Sequence, residues 1–96
     1  ANLQKADLEE VVLEGADMAG VKLRHANLKK ANLKKVDLRR ADLEHADFSK
    51  ANLSSANFTG AKMSESQFAG ADLTGAKMDS ADTTDTQFEG AIGFKP

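Results

Sequence analysis

An apolar residue stands at the centre of almost every block of five along this chain. Written in rows from Ala1, the sequence reads ANLQK, ADLEE, VVLEG, ADMAG, VKLRH, ANLKK, ANLKK and so on, and the frame holds without insertion for eighteen rows to Gly90. The central position, called i, is Leu ten times, Phe at Phe48, Phe58, Phe68 and Phe88, and Met at Met18, Met63 and Met78; only Thr83 departs. Position i−2 is Ala thirteen times and Val at Val11, Val21 and Val36. Position i−1 is Asn or Asp in twelve rows, and i+1 and i+2 are polar, charged or Gly apart from Ala19 and Ala69.

A period of five excludes both regular elements. In an α-helix five residues advance by about 140°, so the leucines would spiral around every side. In a continuous strand side chains alternate, and an odd period would send successive leucines to opposite faces. A chain that bends once per row keeps i−2 and i inside together, as on a very short strand, with the other residues making a corner. The glycines support the corner. All six within the rows, Gly15, Gly20, Gly60, Gly70, Gly75 and Gly90, fall at i+2, where a type II turn requires a positive φ. Asn and Asp at i−1 fit as well, because their short side chains bond nearby backbone amides at turns. Proline is absent until Pro96, which leaves backbone donors free for a ladder.

These A(N/D)LXX rows resemble the pentapeptide-repeat proteins over residues 1–90. The resemblance implies an all-β fold, a right-handed quadrilateral β-helix with four repeats per coil and about four and a half coils. Residues twenty apart would then stack. The inward columns become Leu3, Leu23, Leu43, Met63 and Thr83; Leu8, Leu28, Phe48, Phe68 and Phe88; Leu13, Leu33, Leu53 and Leu73; and Met18, Leu38, Phe58 and Met78. Each column is an almost unbroken apolar ladder, and each buried Leu contributes roughly 2 kcal/mol of transfer free energy. Alanine at i−2 follows from space, since a larger residue would overpack a narrow centre.

Ninety-six residues bound the chain to one domain. Thirteen basic and fifteen acidic residues nearly balance, which argues against a bulk polyion as partner. There is no cysteine, hence no disulfide or thiolate site, and no apolar run long enough to span a membrane. The compartment stays open between the cytoplasm and a processed periplasmic or lumenal form.

The strongest charge feature is the run Lys22, Arg24, Lys29, Lys30, Lys34, Lys35, Arg39 and Arg40, with Asp37 its one acid. As linear sequence it suggests a nucleic-acid patch. Stacking every twenty residues spreads it over four faces as a belt, with Glu9 beside Lys29, Glu10 beside Lys30, Glu14 beside Lys34 and Glu44 beside Arg24, so a solvated belt with neutralising neighbours is expected. Acids gather at the two ends: Asp7, Glu9, Glu10, Glu14 and Asp17, then Asp79, Asp82, Asp85 and Glu89. Quinolone-resistance members of the family are thought to mimic duplex DNA and bind gyrase; the basic middle of this chain speaks against that alternative. His25 and His45 share a corner column with Glu65 and are expected as surface histidines rather than a metal site.

No nucleophile motif or phosphate-cradling loop is present. The expected function is a non-enzymatic structural or protein-binding module without a cofactor. Val12, at an outward position polar in every other row, makes a small apolar spot with Val11 and marks the N-terminal coil as an edge that either pairs end-to-end with another copy or is continued by residues preceding Ala1. Ile92 and Phe94, in the tail 91–96, are placed to cover the last coil as an end cap.

Overall fold

The architecture follows from one corner repeated every five residues. In the computed structural model, which describes residues 2–93, the N–H at the start of each row bonds the central C=O of the row before: Ala6 to Leu3 at 3.1 Å, Val36 to Leu33 at 3.1 Å, Ala51 to Phe48 at 3.0 Å. The two residues between are the turn. The second of them has a positive φ in all eighteen rows: the six glycines at 69° to 72°, and twelve other residues, from Lys5 at 62° to Asp85 at 56°. The corner is thus set by the fold and only relieved by glycine. Lys30, Lys35, Arg40 and their like adopt a backbone region that costs an L-residue roughly 1–2 kcal/mol.

Four corners close a coil. Fifteen parallel bridges join residues twenty apart, from Asn2 with Lys22 to Asp72 with Ile92. Each side contributes three ladder bonds. Leu33 N–H donates to the Asn52 carbonyl at 2.8 Å, Lys35 N–H to the Ser54 carbonyl at 2.9 Å, and Asn52 N–H returns a bond to the Ala31 carbonyl at 2.9 Å. The chain is therefore a four-sided β-helix whose coils cover residues 2–20, 21–40, 41–60 and 61–80, with a fifth begun at Ala81.

The interior belongs to the middle coils. Leu23, Leu28, Leu33, Leu38, Leu43, Phe48, Leu53, Phe58, Phe68 and Leu73 are buried at 0–1% exposure, as are most alanines at i−2. Leu8 and Leu13 are only half-buried, because the first coil is covered from one side. Toward the C-terminus the aliphatic rungs give way to aromatic ones. Phe68 stacks on Phe48 at 4.8 Å and 9°, on Phe88 at 5.6 Å and 22°, and receives Phe58 edge-on at 5.7 Å and 83°. These are the arrangements the ring quadrupole favours. Ser66, the one buried polar residue among those described, donates its hydroxyl to the Met63 carbonyl at 2.5 Å, and Thr86 reaches the same oxygen at 2.7 Å.

The C-terminal end differs from the sequence expectation. Ile92 does not fold over the last coil. It pairs with Asp72, bonds the Ala71 carbonyl at 2.8 Å through its N–H and accepts from Leu73 N–H at 2.7 Å, and its side chain is 60% exposed. The residue at i−1 points outward on every side, and Ile92 obeys that rule. Phe94 lies outside the described residues.

Two substitutions separate core from edge. Leu38→Ala, in the middle of a covered ladder, should cost about 2–5 kcal/mol, and Leu8→Ala, in the half-covered first coil, clearly less, by urea midpoint. Gly20→Ala isolates the corner. A Cβ there meets nothing within 4 Å, so its loss of about 1 kcal/mol would be conformational alone; an unchanged midpoint would contradict the strained corner.

Candidate interaction surface

With the interior filled, the outward positions i−1, i+1 and i+2 are what a partner meets. At i−1 the side chain is committed to its own corner. In all twelve rows that carry Asn or Asp there, Oδ1 accepts the N–H two residues on, as in Asn27 from Lys29 at 3.0 Å, Asp47 from Ser49 at 2.9 Å and Asp72 from Thr74 at 3.0 Å. Where i+1 is Ser or Thr, its hydroxyl adds a second bond to the same oxygen, 2.7 Å from Thr74 to Asp72 and from Thr84 to Asp82. These donors hold the Asp72 and Asp82 carboxyls below the ordinary carboxylate range, the hydroxyl bond being the larger cause. At Asp37 the cause is Arg39, whose guanidinium grips it through two bonds at 2.9 and 2.8 Å.

The basic run is divided. Lys22 stacks between Asn2 and Asp42, so the ladder sets Arg24 on the first side with it. Lys29 and Lys30 stand at the second corner, Lys34 and Lys35 at the third, and Arg39 and Arg40 at the fourth. The seven side chains Arg24, Lys29, Lys30, Lys34, Lys35, Arg39 and Arg40 therefore ring the second coil and do not converge.

Their expected neutralisation holds only in part. Arg24 meets Glu44 at 3.2 Å and Asp42 at 3.8 Å, Lys29 meets Asp47 at 3.9 Å, and Arg39 meets Asp37 at 2.8 Å. Of the four anticipated pairs only Arg24–Glu44 forms; among the described residues no ion pair joins Lys29 to Glu9, Lys30 to Glu10 or Lys34 to Glu14. Arg24, Lys29 and Arg39 each reach an aspartate at i−1 whose Oδ1 already holds a turn N–H, and Arg24 comes closer still to Glu44. Glu10 and Glu14 are exposed, and an exposed pair returns little for the side-chain freedom it costs. Glu9 instead accepts Asn27 Nδ2 at 3.4 Å. The first coil thus keeps five carboxylates that pair with no cation among the described residues.

His25 and His45 stack with ring centroids 4.7 Å apart and planes within 5°, and His45 Nδ1 lies 3.8 Å from Glu65 Oε2. Parallel rings aim their nitrogens side by side, not at a common point. Among the described residues no three ligating side chains are arranged to hold a metal ion.

The profile of the pentapeptide repeats matches residues 1–40, 37–75 and 56–92, with eight copies. The chain belongs to the pentapeptide-repeat family. Its fold is the family's right-handed quadrilateral β-helix, shared with solved pentapeptide-repeat structures. The protein Rfr23 from the cyanobacterium Cyanothece 51142 superimposes with a TM-score of 0.92 at 29% identity, over 95% of this chain and 63% of that one. A pentapeptide-repeat protein of the Arabidopsis thaliana thylakoid lumen gives 0.57 at 28%, over 92% and 60%. QnrB1, a plasmid-mediated fluoroquinolone resistance protein, gives 0.54 at 18%, over 84% and 47%; that likeness is one of fold. The chain thus spans less than two thirds of each of these relatives. No functionally curated protein shows significant sequence similarity to it.

The corner carboxylates of this pentapeptide-repeat chain set its acid response. Asp37, Asp72 and Asp82 titrate lower folded than unfolded, so their contribution is fully present above the unfolded value, about pH 3.9, and is lost as pH falls through the folded values. Urea midpoints should be level from pH 7 to about 5 and fall below about 4. Asp72→Asn keeps the Oδ1 acceptor and should flatten part of that decline, whereas a decline already complete at pH 5 would contradict the assignment.

Proposed function

We propose that this chain is a non-enzymatic structural or protein-binding module that works through its outer surface, with the exposed apolar Val12 of its first coil supporting contact with a second copy. The observation that carries the reading is the filled interior. Leu28, Leu38, Leu43, Phe48, Phe58, Met63 and Phe68 have no solvent exposure, so the molecule meets its target with corners and edges. A small-molecule site would instead need a lined cavity with a few convergent polar groups. The corner side chains suit recognition of another protein, because their backbone is fixed by the ladder while their identity is unconstrained by the core.

The gyrase reading is the weaker one. Likeness to QnrB1 at 18% identity extends to fold and not to target. Duplex mimicry asks for a continuous acidic side, whereas Lys22, Lys30, Lys34, Lys35 and Arg40 ring the second coil with no ion-pair partner among the described residues. The same ring stands against duplex DNA as the natural partner, since its charges point to four different sides and a duplex needs several phosphate contacts from one direction.

Affinity capture with the intact chain, compared with a Lys30→Glu, Lys34→Glu, Lys35→Glu variant of equal thermal stability, tests the surface reading. A partner held by the parent and lost by the variant is expected, together with no gel shift of duplex DNA at physiological salt. Identical captures from parent and variant would move the interaction away from the belt, and inhibition of gyrase supercoiling would restore the mimicry reading.

A further inference from the structure

The third side, between the second corner and the third, differs from the others in its second and third coils. Its outward residues there are Lys30, Asn32, Lys34, Lys50, Asn52 and Ser54, with no acid among them. In the same two coils the first side carries Asp42 and Glu44, the second Asp47 and the fourth Asp37, and each of these three sides holds an ion pair. Lys30, Lys34 and Lys50 are exposed and have no ion-pair partner among the described residues. We propose, resting on the reading of this chain as a protein-binding module, that this part of the third side docks a short acidic segment of a partner protein. Its carboxylates are received among the three lysines and the two asparagines.

Corner chemistry makes this area a field of donors. Asn32 Oδ1 accepts the Lys34 N–H at 3.3 Å, and Asn52 Oδ1 accepts the Ser54 N–H at 3.1 Å and the Ser54 hydroxyl at 2.9 Å. With Oδ1 turned to the corner, the two Nδ2 groups are left to donate, and neither has a partner among the described residues. Ladder neighbours lie about 4.8 Å apart, so the asparagines and the stacked Lys30 and Lys50 each present two donors across one coil step. Stacking lysine on lysine is unfavourable in itself. The next residue of that column is Gly70, which offers no side chain to offset the charge. The stem of Lys50 lies over it, its Cγ 3.4 Å from where a Cβ would stand. A carboxylate only accepts, and bonds from charged donors to it are the strong ones. The backbone is already set, since Lys30 N–H and Lys50 N–H are held in the ladder at 3.0 and 2.9 Å, so on this chain docking orders side chains alone.

The size of the field decides what kind of anion it suits. On the same side Glu10 and Glu14 flank it in the first coil, and Asp72 follows Asn52 in the fourth. A nucleic-acid duplex or a bilayer surface extends past two coils and would set its phosphates against these acids. A segment with two or three carboxylates fits between them.

Glutamate already occupies such corners at Glu10 and Glu65, with φ of 62° and 61°, so lysine-to-glutamate variants keep the fold. The probe is a capped tetraglutamate peptide, titrated at low salt into the isotope-labelled chain and followed by amide NMR shifts, with capped tetraglutamine as the control. Shifts should concentrate at Lys30, Asn32, Lys34, Lys50 and Asn52, and tetraglutamine should cause none. K30E and K50E should each weaken binding at least about fivefold, and K35E, an equal change of net charge that opens on the fourth side, less than about twofold. Equal weakening by K35E, or no binding of tetraglutamate to the parent, would overturn the site while leaving the module reading to its affinity capture. Tighter binding of a short duplex or of phosphatidylserine vesicles, lost in K30E and kept in K35E, would overturn the acidic segment in favour of phosphate. Self-association of the parent by sedimentation, lost in K30E, would overturn it in favour of the first-coil acids of another copy.

Discussion

The structure depends on a single backbone condition: every fifth residue must turn with a positive φ. Without that corner the chain cannot return to itself after twenty residues, and no ladder bond between coils can form. Glycine meets the condition at six corners and twelve other residues are held in it. Ten of those twelve, all but Ser80 and Asp85, are offset collectively, since each donates its N–H to the next coil and its neighbours form two more bonds there. Stability here is therefore a sum of nearest-neighbour terms. The middle coils, bonded above and below, hold the buried rungs, and the outer coils hold the half-buried ones.

Much of this was legible in the residues. The period of five, the inward pair i−2 and i, and the corner at i+2 follow from composition by position. Glycine at i+2 was the signal for the turn, but it could not show that Lys30 or His45 adopts the same conformation, because a non-glycine residue carries no local mark of positive φ. The Asn and Asp at i−1 were correctly tied to turn amides. Four sides per coil came from resemblance to the family, and the twenty-residue bridges show it directly. The tail was misread at Ile92 for a definite reason. Apolar character suggested burial, while its place in the frame, one residue after Ala91, dictated an outward i−1 position. Frame outranks hydrophobicity in a repeat this strict.

The surface charges were less legible. Stacking arithmetic identifies which residues are neighbours but treats the coil before and the coil after as equivalent. The ion pairs that form lie within the second coil or toward the third: Arg39 with Asp37, Arg24 with Asp42 and Glu44, and Lys29 with Asp47. The first-coil acids, Asp7 and Asp17 with their turn bonds as much as Glu10 and Glu14 without them, meet no cation among the described residues. Twenty-residue stacking therefore identifies neighbours without saying on which side a long side chain finds its partner.

The same separation of duties explains why fold and function are read with such different ease. Positions i−2 and i carry the fold, and almost any departure there opens the core. Position i−1 is split: where it is Asn or Asp it serves the turn, and where it is not, as at Val12, Lys22, Lys62, Gln67, Lys77, Gln87 and Ile92, the scaffold has released the residue to other uses. Lys and apolar side chains carry no acceptor for the corner N–H, and Gln67 and Gln87 do not accept it among the described residues, so the turn lacks a bond worth about 0.5–1.5 kcal/mol at each. A departure that forgoes this bond without improving the core is best explained by contact with something outside the coil. On that argument the informative surface residues of a pentapeptide repeat are the ones that break the Asn/Asp rule, and Val12 and Ile92 break it most, being the two large apolar side chains among the described residues that stand in water.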